Sequence, residues 1–195
     1  MARSRSLLGR LTDPSQFDLR PTGPGDVLDL GCGQRKYPGA VGVDISPGTD
    51  ADIVHDLDSY PWPIEDSSFD QVLAQDVIEH IREPYRFMEE LARICRPGAT
   101  VQLRTPHFSS VLAYSDPTHI HYLSLAGVRA LADPGFGHYA DSRFEVVSVR
   151  ADSWLPFRLL GVEWLANRWP DIYERYFAFV VTSMNIRAVF RKPRR

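Results

Sequence analysis

Apolar residues fall in short runs at intervals along the first half of the chain: Val27–Leu30, Val41–Ile45, Ile53–Val54, Val72–Ala74 and Val101–Leu103. Turn residues bound each run, as in strands buried within a parallel sheet. Between the fourth and fifth runs the period changes. Phe87, Met88, Leu91, Ile94 and Cys95 recur at three- and four-residue spacing over residues 84–95, which predicts a helix with one apolar stripe. Arg96-Pro97-Gly98 ends it, because proline cannot continue a helix and glycine supplies the permissive turn. Strands alternating with crossovers over residues 26–105 predict an α/β parallel sheet.

The second half is less regular. Residues 106–123 are rich in His, Ser, Asp and aromatics and carry no helical period. Ser124 caps a predicted helix over Leu125–Ala132, which stops before Pro134-Gly135. Phe144–Val149 and Met184–Phe190 alternate as strands. Between them lie Trp154, Trp164 and Trp169, three of the four tryptophans, with Phe157, Tyr173, Tyr176, Phe177 and Phe179. This segment reads as a helical cover on the sheet or the wall of a substrate pocket. A membrane-interface surface is the alternative, weakened by Glu163, Asp171 and Glu174 on the same stretch. Residues 1–25, with Pro14, Pro21, Gly23, Pro24 and Gly25, read as an irregular lead-in, 26–192 as a single domain and 193–195 as a basic tail.

Composition narrows the class. With 195 residues, 44% apolar and a net charge of −3, the chain has the size of one globular domain. Cys32 and Cys95 are too few for a disulfide scaffold, which makes a reducing cytoplasm the expectation. No leader is expected, since the basic N-terminal stretch holds only the apolar pair Leu7-Leu8. No apolar run approaches the ~18–20 residues of a spanning helix. Of 22 basic residues 20 are arginine, which reads chiefly as coding composition. Arg187, Arg191, Lys192, Arg194 and Arg195 near the end read as a solvated tail, with weak membrane-surface association as the alternative. The overall acidity and the lack of an appended module leave no expectation of a nucleic-acid partner.

The informative run is Val27-Leu-Asp-Leu-Gly-Cys-Gly33. A buried strand delivers Asp29 and then a glycine turn, where missing side chains let a ligand lie against the backbone. A second strand, Val41-Gly-Val-Asp-Ile45, ends on an acid. Asp44 is thereby placed to accept hydrogen bonds from a ribose diol. His55-Asp56-Leu57 and Phe69-Asp70 follow in order.

Together VLDLGCG (27–33), GVDIS (42–46), HDLDSYPWPIEDSSFDQVLAQDVIEHI (55–81) and the helix–RPG–strand segment ending at Leu103 resemble class I S-adenosylmethionine-dependent methyltransferases, in the group of ubiquinone-type small-molecule enzymes. The resemblance implies a Rossmann-like, seven-stranded, mostly parallel sheet with helices on both faces. A small aromatic-rich cap, residues 107–142 and 152–182, would then lie over the carboxyl ends of the strands. It implies S-adenosylmethionine as cofactor, with S-adenosylhomocysteine as product. Gly31 and Gly33 would approach its methionine part, Asp29 its ammonium group and Asp44 with Ile45 the ribose end. Asp56 and Leu57 would meet the adenine, and Gln75 with Asp76 would line the sulfonium side. One departure matters: Asp29 and Asp44 are only 15 residues apart, so 34–40 must serve as the whole first crossover, where about a dozen residues are usual. Arg35 also stands where the usual third glycine would be.

Methyl transfer to a hydroxyl benefits from a base, and histidine suits that work near neutrality. His107 follows the fifth strand, and Asp116, His119 and His121 fall in SDPTHIHYLS. Three readings stand: His107 or His119 as general base; His107, Asp116, His119 and His121 as a divalent metal site; or a turn at Asp116-Pro117-Thr118 with histidines that only line the pocket. His80 reads as an anchor at a helix start, while His55 and His138 have no supporting pattern. The Asn/Asp-Pro-Pro-aromatic motif of planar-nitrogen methylation is absent, since the fourth strand runs into Ala74-Gln-Asp-Val77. Tyr114, Tyr122, Trp154, Phe157 and Trp164 are candidates to wall an acceptor pocket. The expected function is O-methylation of a small molecule such as a sugar or secondary metabolite. The alternatives are a non-catalytic binder of the same fold and a peripheral membrane enzyme acting on a lipid or glycan.

Overall fold

The computed structural model describes residues 19–23, 25–132 and 144–194. The lead-in up to Asp18, the Pro134-Gly135 helix stop, His138, the 133–142 part of the cap and Arg195 lie outside them. Seven strands form one sheet: β1 (Val27–Leu30), β2 (Val41–Asp44), β3 (Ile53–Val54), β4 (Phe69–Gln75), β5 (Cys95–Pro106), β6 (Glu145–Asp152) and β7 (Asn185–Arg191). Their order is β3-β2-β1-β4-β5-β7-β6. β1 to β5 are parallel, and β7 runs antiparallel between β5 and β6.

Register separates two faces of unlike chemistry. Leu28 pairs with Val72 and Val72 with Val101, while Leu30 pairs with Ala74 and Ala74 with Leu103; paired residues share a face. These six side chains are buried with Phe87, Met88, Leu91 and Ile94 of α1 (Pro84–Ile94) in one core cluster. Proline in the first turn starts α1, where its missing N–H costs nothing. The opposite face carries Asp29, Gln71, Leu73, Gln75, Gln102 and Arg104.

That polar face is where a β1–β2 crossover helix would pack, because right-handed connections leaving β1 and β4 in opposite directions cover opposite faces. The ten residues 31–40 form turns and no helix. Residues 19–23 take up part of the face instead. Gln75 Oε1 accepts from the Leu19 N–H at 2.8 Å and Gln71 Oε1 from the Thr22 N–H at 2.7 Å. Gln102 donates from Nε2 to the Arg20 carbonyl. The short crossover is fastened by Lys36 Nζ on Asp52 Oδ2 at 2.7 Å, the same oxygen that accepts from the Gly42 N–H.

The apolar runs mark these strands but understate two of them. β4 spans Phe69–Gln75 and β5 spans Cys95–Pro106, because alternate residues face the polar side and break the runs. After β5 come α2 (Val111–Ser115) and α3 (Leu125–Ala130). Ser124 Oγ accepts from the Gly127 N–H at 2.9 Å and caps α3. Between β6 and β7 lie α4 (Leu155–Leu159), α5 (Val162–Arg168), α6 (Pro170–Ile172) and a π-helical turn, Tyr173–Phe177. Tyr173 is fully buried, and its hydroxyl donates to the Val181 carbonyl at 2.8 Å. Much of the remaining apolar surface of this segment faces outward: Leu159, Leu160, Phe179 and Val180 are each at least 75% exposed. None of the described helices is long and apolar enough to cross a membrane.

Candidate functional site

At the end of β1, Gly31 (φ 63°) and Gly33 (φ 56°) take left-handed conformations, which side chains at these positions would strain. A Cβ on Gly31 would meet Val77 Cγ2 at 2.6 Å, whereas Gly33 faces open space. The turn is held by the carboxylate that ends β2. Asp44 Oδ2 accepts from the Gly33 N–H and Oδ1 from the Ser46 N–H, both at 2.9 Å. Asp29 Oδ2 accepts from the Tyr37 N–H at 2.8 Å. Burial raises the Asp29 carboxyl above its ordinary pKa, with the Tyr37 bond and the Lys36 charge pulling it back.

A cleft of about 590 Å³ opens here, lined by Asp29, Gly31, Gly33, the 34–38 loop, Gln75 and Asp76, and by Leu19 and Arg20. Four of the expected cofactor residues, Asp29, Gly31, Gly33 and Gln75, therefore share one cavity, and Arg35 lies in its lining. Asp44 adjoins it through Gly33, and Ile45 stands beside Asp44, 67% exposed, as an apolar ledge. Asp56 and Leu57 follow β3 and lie outside this lining. Asp56 Oδ1 accepts from the Asp58 N–H at 2.9 Å, and the Leu57 carbonyl accepts from Trp62 Nε1 at 3.0 Å. An open glycine turn flanked by two carboxylates suits the ammonium and ribose of S-adenosylmethionine.

Asp76 joins this cleft to a second one. It sits just past β4 with φ 55°, a costly conformation for a residue with a side chain. Arg104 holds it there: Asp76 Oδ1 accepts from Arg104 Nε at 3.0 Å, Oδ2 pairs with Nη2, and the Asp76 N–H donates to the Arg104 carbonyl at 2.8 Å. The second cleft, about 400 Å³, is lined by Asp76, Glu79, His80, Arg104, Pro106, Leu112, Asp116, His119, Met184 and Asn185. A third of about 330 Å³, sharing Met184, is walled by Tyr114, Trp154 and Phe157 with Ser109, Ser110 and Ser183. Trp164 is absent from that wall and packs edge-on to Trp169 at 5.1 Å between centroids. Tyr122 stacks on Tyr114 at 4.8 Å.

The histidines divide sharply. His107 is fully buried, lines neither of the first two clefts and has both ring nitrogens engaged. Its Nδ1 accepts from the Ser109 N–H at 3.2 Å and lies 2.8 Å from Ser109 Oγ. Its Nε2 lies 3.2 Å from Glu174 Oε1, which also accepts from the Leu125 N–H at 2.6 Å. His107 thus ties the end of β5 to α3 and the π-helical turn, an arrangement with no lone pair left for a base or a ligand. Asp116 spends Oδ1 on the Thr118 N–H at 2.8 Å and hydroxyl at 2.6 Å, and these bonds lower its pKa. That is a turn of the Asx type. His121 Nε2 is buried without a partner among the described residues and lines neither of those clefts. Of the proposed four, only His119 has ring nitrogen directed at a cluster with other candidate ligands.

Its neighbours there are Glu79 and His80, on a 3-10 turn (Ile78–His80) after β4. The Glu79 carbonyl accepts from the Ile120 and His121 N–H groups at 2.9 and 3.1 Å, which lays the His119 segment over the turn. Sequence reasoning passed over Glu79 and Arg104. The signals present were a lone acid in the apolar stretch Val77–Ile81 and a lone arginine in Val101–Pro106. Burial raises the Glu79 carboxyl from 4.5 to about 8, with the negative charge of Asp76 adding to the shift.

The sheet order, the glycine turn and the acid ending β2 give the fold of class I S-adenosylmethionine-dependent methyltransferases. Residues 28–103 match the methyltransferase domain family. Over 87% of both chains the fold superposes on an Archaeoglobus fulgidus S-adenosylmethionine-dependent methyltransferase with a TM-score of 0.61 at 16% identity. A chain of the complex between the Haloferax volcanii Trm112 methyltransferase activator and a methyltransferase gives 0.57 at 23% identity, over 87% of this chain and 83% of that one. Among curated proteins, ajmaline N-methyltransferase of Rauvolfia serpentina is 30% identical over 40% of this chain and 35% of its own length. The chain thus spans about a third of the curated relatives it matches. These likenesses reach the class and single out no subgroup within it.

Proposed function

We propose that the protein transfers the methyl group of S-adenosylmethionine to a hydroxyl of a small molecule, such as a sugar or secondary metabolite. The observation that carries this reading is the pair of clefts meeting at Asp76, one at the glycine turn and one lined by His119 and Glu79. The bound cofactor supplies a sulfonium methyl: the acceptor oxygen forms a bond to carbon as the carbon–sulfur bond breaks onto sulfur, leaving S-adenosylhomocysteine and one proton. The chain's residues orient and deprotonate. Arg104 and Asp76 hold the wall between the clefts, and much of such catalysis is alignment. His119 Nδ1 lies 2.9 Å from the Ala113 carbonyl, a contact that carries the ring proton and leaves Nε2 to take the hydroxyl's. The aromatic cleft beyond Met184 suits an apolar part of the acceptor.

An acceptor screen that detects S-adenosylhomocysteine tests this and separates an enzyme from a non-catalytic binder. With a turned-over acceptor, His119→Ala is expected to lower kcat roughly 100-fold or more. His107→Gln is expected to lower Tm while keeping kcat within a few-fold. The reverse pattern, or no acceptor-dependent product, overturns the reading.

A lipid or glycan acceptor at a membrane surface is the second reading, favoured by the exposed Leu159, Leu160, Phe179 and Val180. Here the protein is expected to sediment with phosphatidylglycerol vesicles and Leu159→Glu/Leu160→Glu to stay in solution. Wild-type protein left in the supernatant removes this reading.

A further inference from the structure

We infer that Glu79, His80 and His119 form a binding site for a divalent first-row transition cation in the wall of the second cleft. One donor atom from each lies within 4.8 Å of the other two, and Glu79 Oε1 is 4.0 Å from His119 Nε2. A cation about 2.1 Å from each donor, in tetrahedral geometry, spaces donors about 3.4 Å apart. The Glu79–His119 pair, at 4.0 Å, and the His80 donor, within 4.8 Å of both, must therefore draw together by side-chain rotation to close the site.

Two further observations point to a ligand. The Glu79 side chain is 1% exposed; the Thr105 hydroxyl and the Arg104 charge favour its ionised form, yet among the described residues neither of its oxygens makes a hydrogen bond of ordinary geometry. Buried polar atoms are seldom left so, because an unpaired one costs kilocalories. Both imidazoles are also oriented as metal ligands are. His119 points Nδ1 at the Ala113 carbonyl at 2.9 Å. His80 points Nδ1 at the Thr118 carbonyl and hydroxyl, at 3.3 and 3.1 Å. Each ring thus commits one nitrogen to an outer partner and keeps Nε2 for the ion. Competing acids nearby are occupied, Asp76 by Arg104 and Asp116 by Thr118.

Two imidazoles and one carboxylate suit Zn²⁺, Co²⁺, Fe²⁺ or Mn²⁺ better than Mg²⁺ or Ca²⁺, which prefer oxygen. Three protein ligands leave coordination open towards the cleft. The ion's role rests on the reading of that cleft as the acceptor site. With the ion bound, an acceptor hydroxyl coordinated there is acidified and releases its proton to water; His119 Nε2 is then a ligand, and it is the base of the metal-free protein.

Cobalt is the probe. Untagged full-length protein, stripped with chelator and dialysed, is titrated with Co²⁺ by calorimetry and by visible absorption. One ion per chain with d–d bands is expected. Glu79→Gln and His119→Ala are expected to weaken binding roughly 100-fold or more, and Thr118→Val roughly tenfold. An S-adenosylmethionine titration of each variant checks that it is folded. Absence of Co²⁺ binding, or binding that survives Glu79→Gln and is lost in His121→Ala, overturns the site. Product release from chelated enzyme is read separately, so a failed metal site leaves the methyl-transfer reading standing.

Discussion

Asp44→Ala is expected to lower the affinity for S-adenosylmethionine by about two orders of magnitude or more in a calorimetric titration. Two losses combine. In the proposed cofactor site the carboxylate at the end of β2 would accept from the ribose diol, and a hydrogen bond to a charged acceptor contributes about 1.5–3 kcal/mol. The same carboxylate holds the turn, taking the N–H groups of Gly33 and Ser46. Without it those donors are unpaired and the Gly31–Gly33 turn loses the group that sets its distance from β2. Asp44→Asn keeps the shape and one acceptor oxygen, so it is expected to fall between, roughly tenfold weaker than wild type. Unchanged affinity in Asp44→Ala would remove Asp44 from the cofactor site and the glycine cleft with it.

Glu79→Gln is expected to make the metal-free protein more stable at alkaline pH and to remove the Glu79 share of its pH dependence between about 4.5 and 8. Burial, with Asp76 close by, keeps the folded-state carboxyl protonated up to about pH 8, whereas in the unfolded chain it ionises near 4.5. Folding therefore takes up a proton across that window. The associated stability is full below pH 4.5 and is lost as pH rises through 8, a span worth on the order of a few kcal/mol. Glutamine stays neutral and escapes that loss. Denaturant melts in chelator at pH 5 and pH 9 measure it: the wild-type midpoint should fall relative to the variant at pH 9. A wild-type minus variant difference that is equal at both pH values would mean that Glu79 is ionised throughout. Added Co²⁺ should raise the wild-type midpoint and leave that of Glu79→Gln in place, since a ligand stabilises only the state that binds it.

The glycine-turn side of the molecule was legible because local chemistry dictates it. Gly31 and Gly33 are required by a left-handed turn, Asp44 by its place at the end of a short strand, and Ser124 by the cap it makes. The paucity of residues between Asp29 and Asp44 excluded a full crossover helix, and residues 31–40 form none. The histidine cluster was legible only as a cluster. His107, His119 and His121 look alike along the chain, yet one is locked between Ser109 and Glu174, one meets Glu79 and His80, and one does neither.

The sequence by itself determined the strand succession, the α1 stripe, the glycine turn and its acids, since period, turn chemistry and spacing act between near neighbours. Only the tertiary structure decided how the polar sheet face is covered, by Gln71, Gln75 and Gln102 holding residues 19–23. It alone decided which histidine works with which acid. Glu79 and His119 are 40 residues apart, and the backbone bonds of Ile120 and His121 to the Glu79 carbonyl bring them together. Contacts of that range come from packing, which no local pattern encodes.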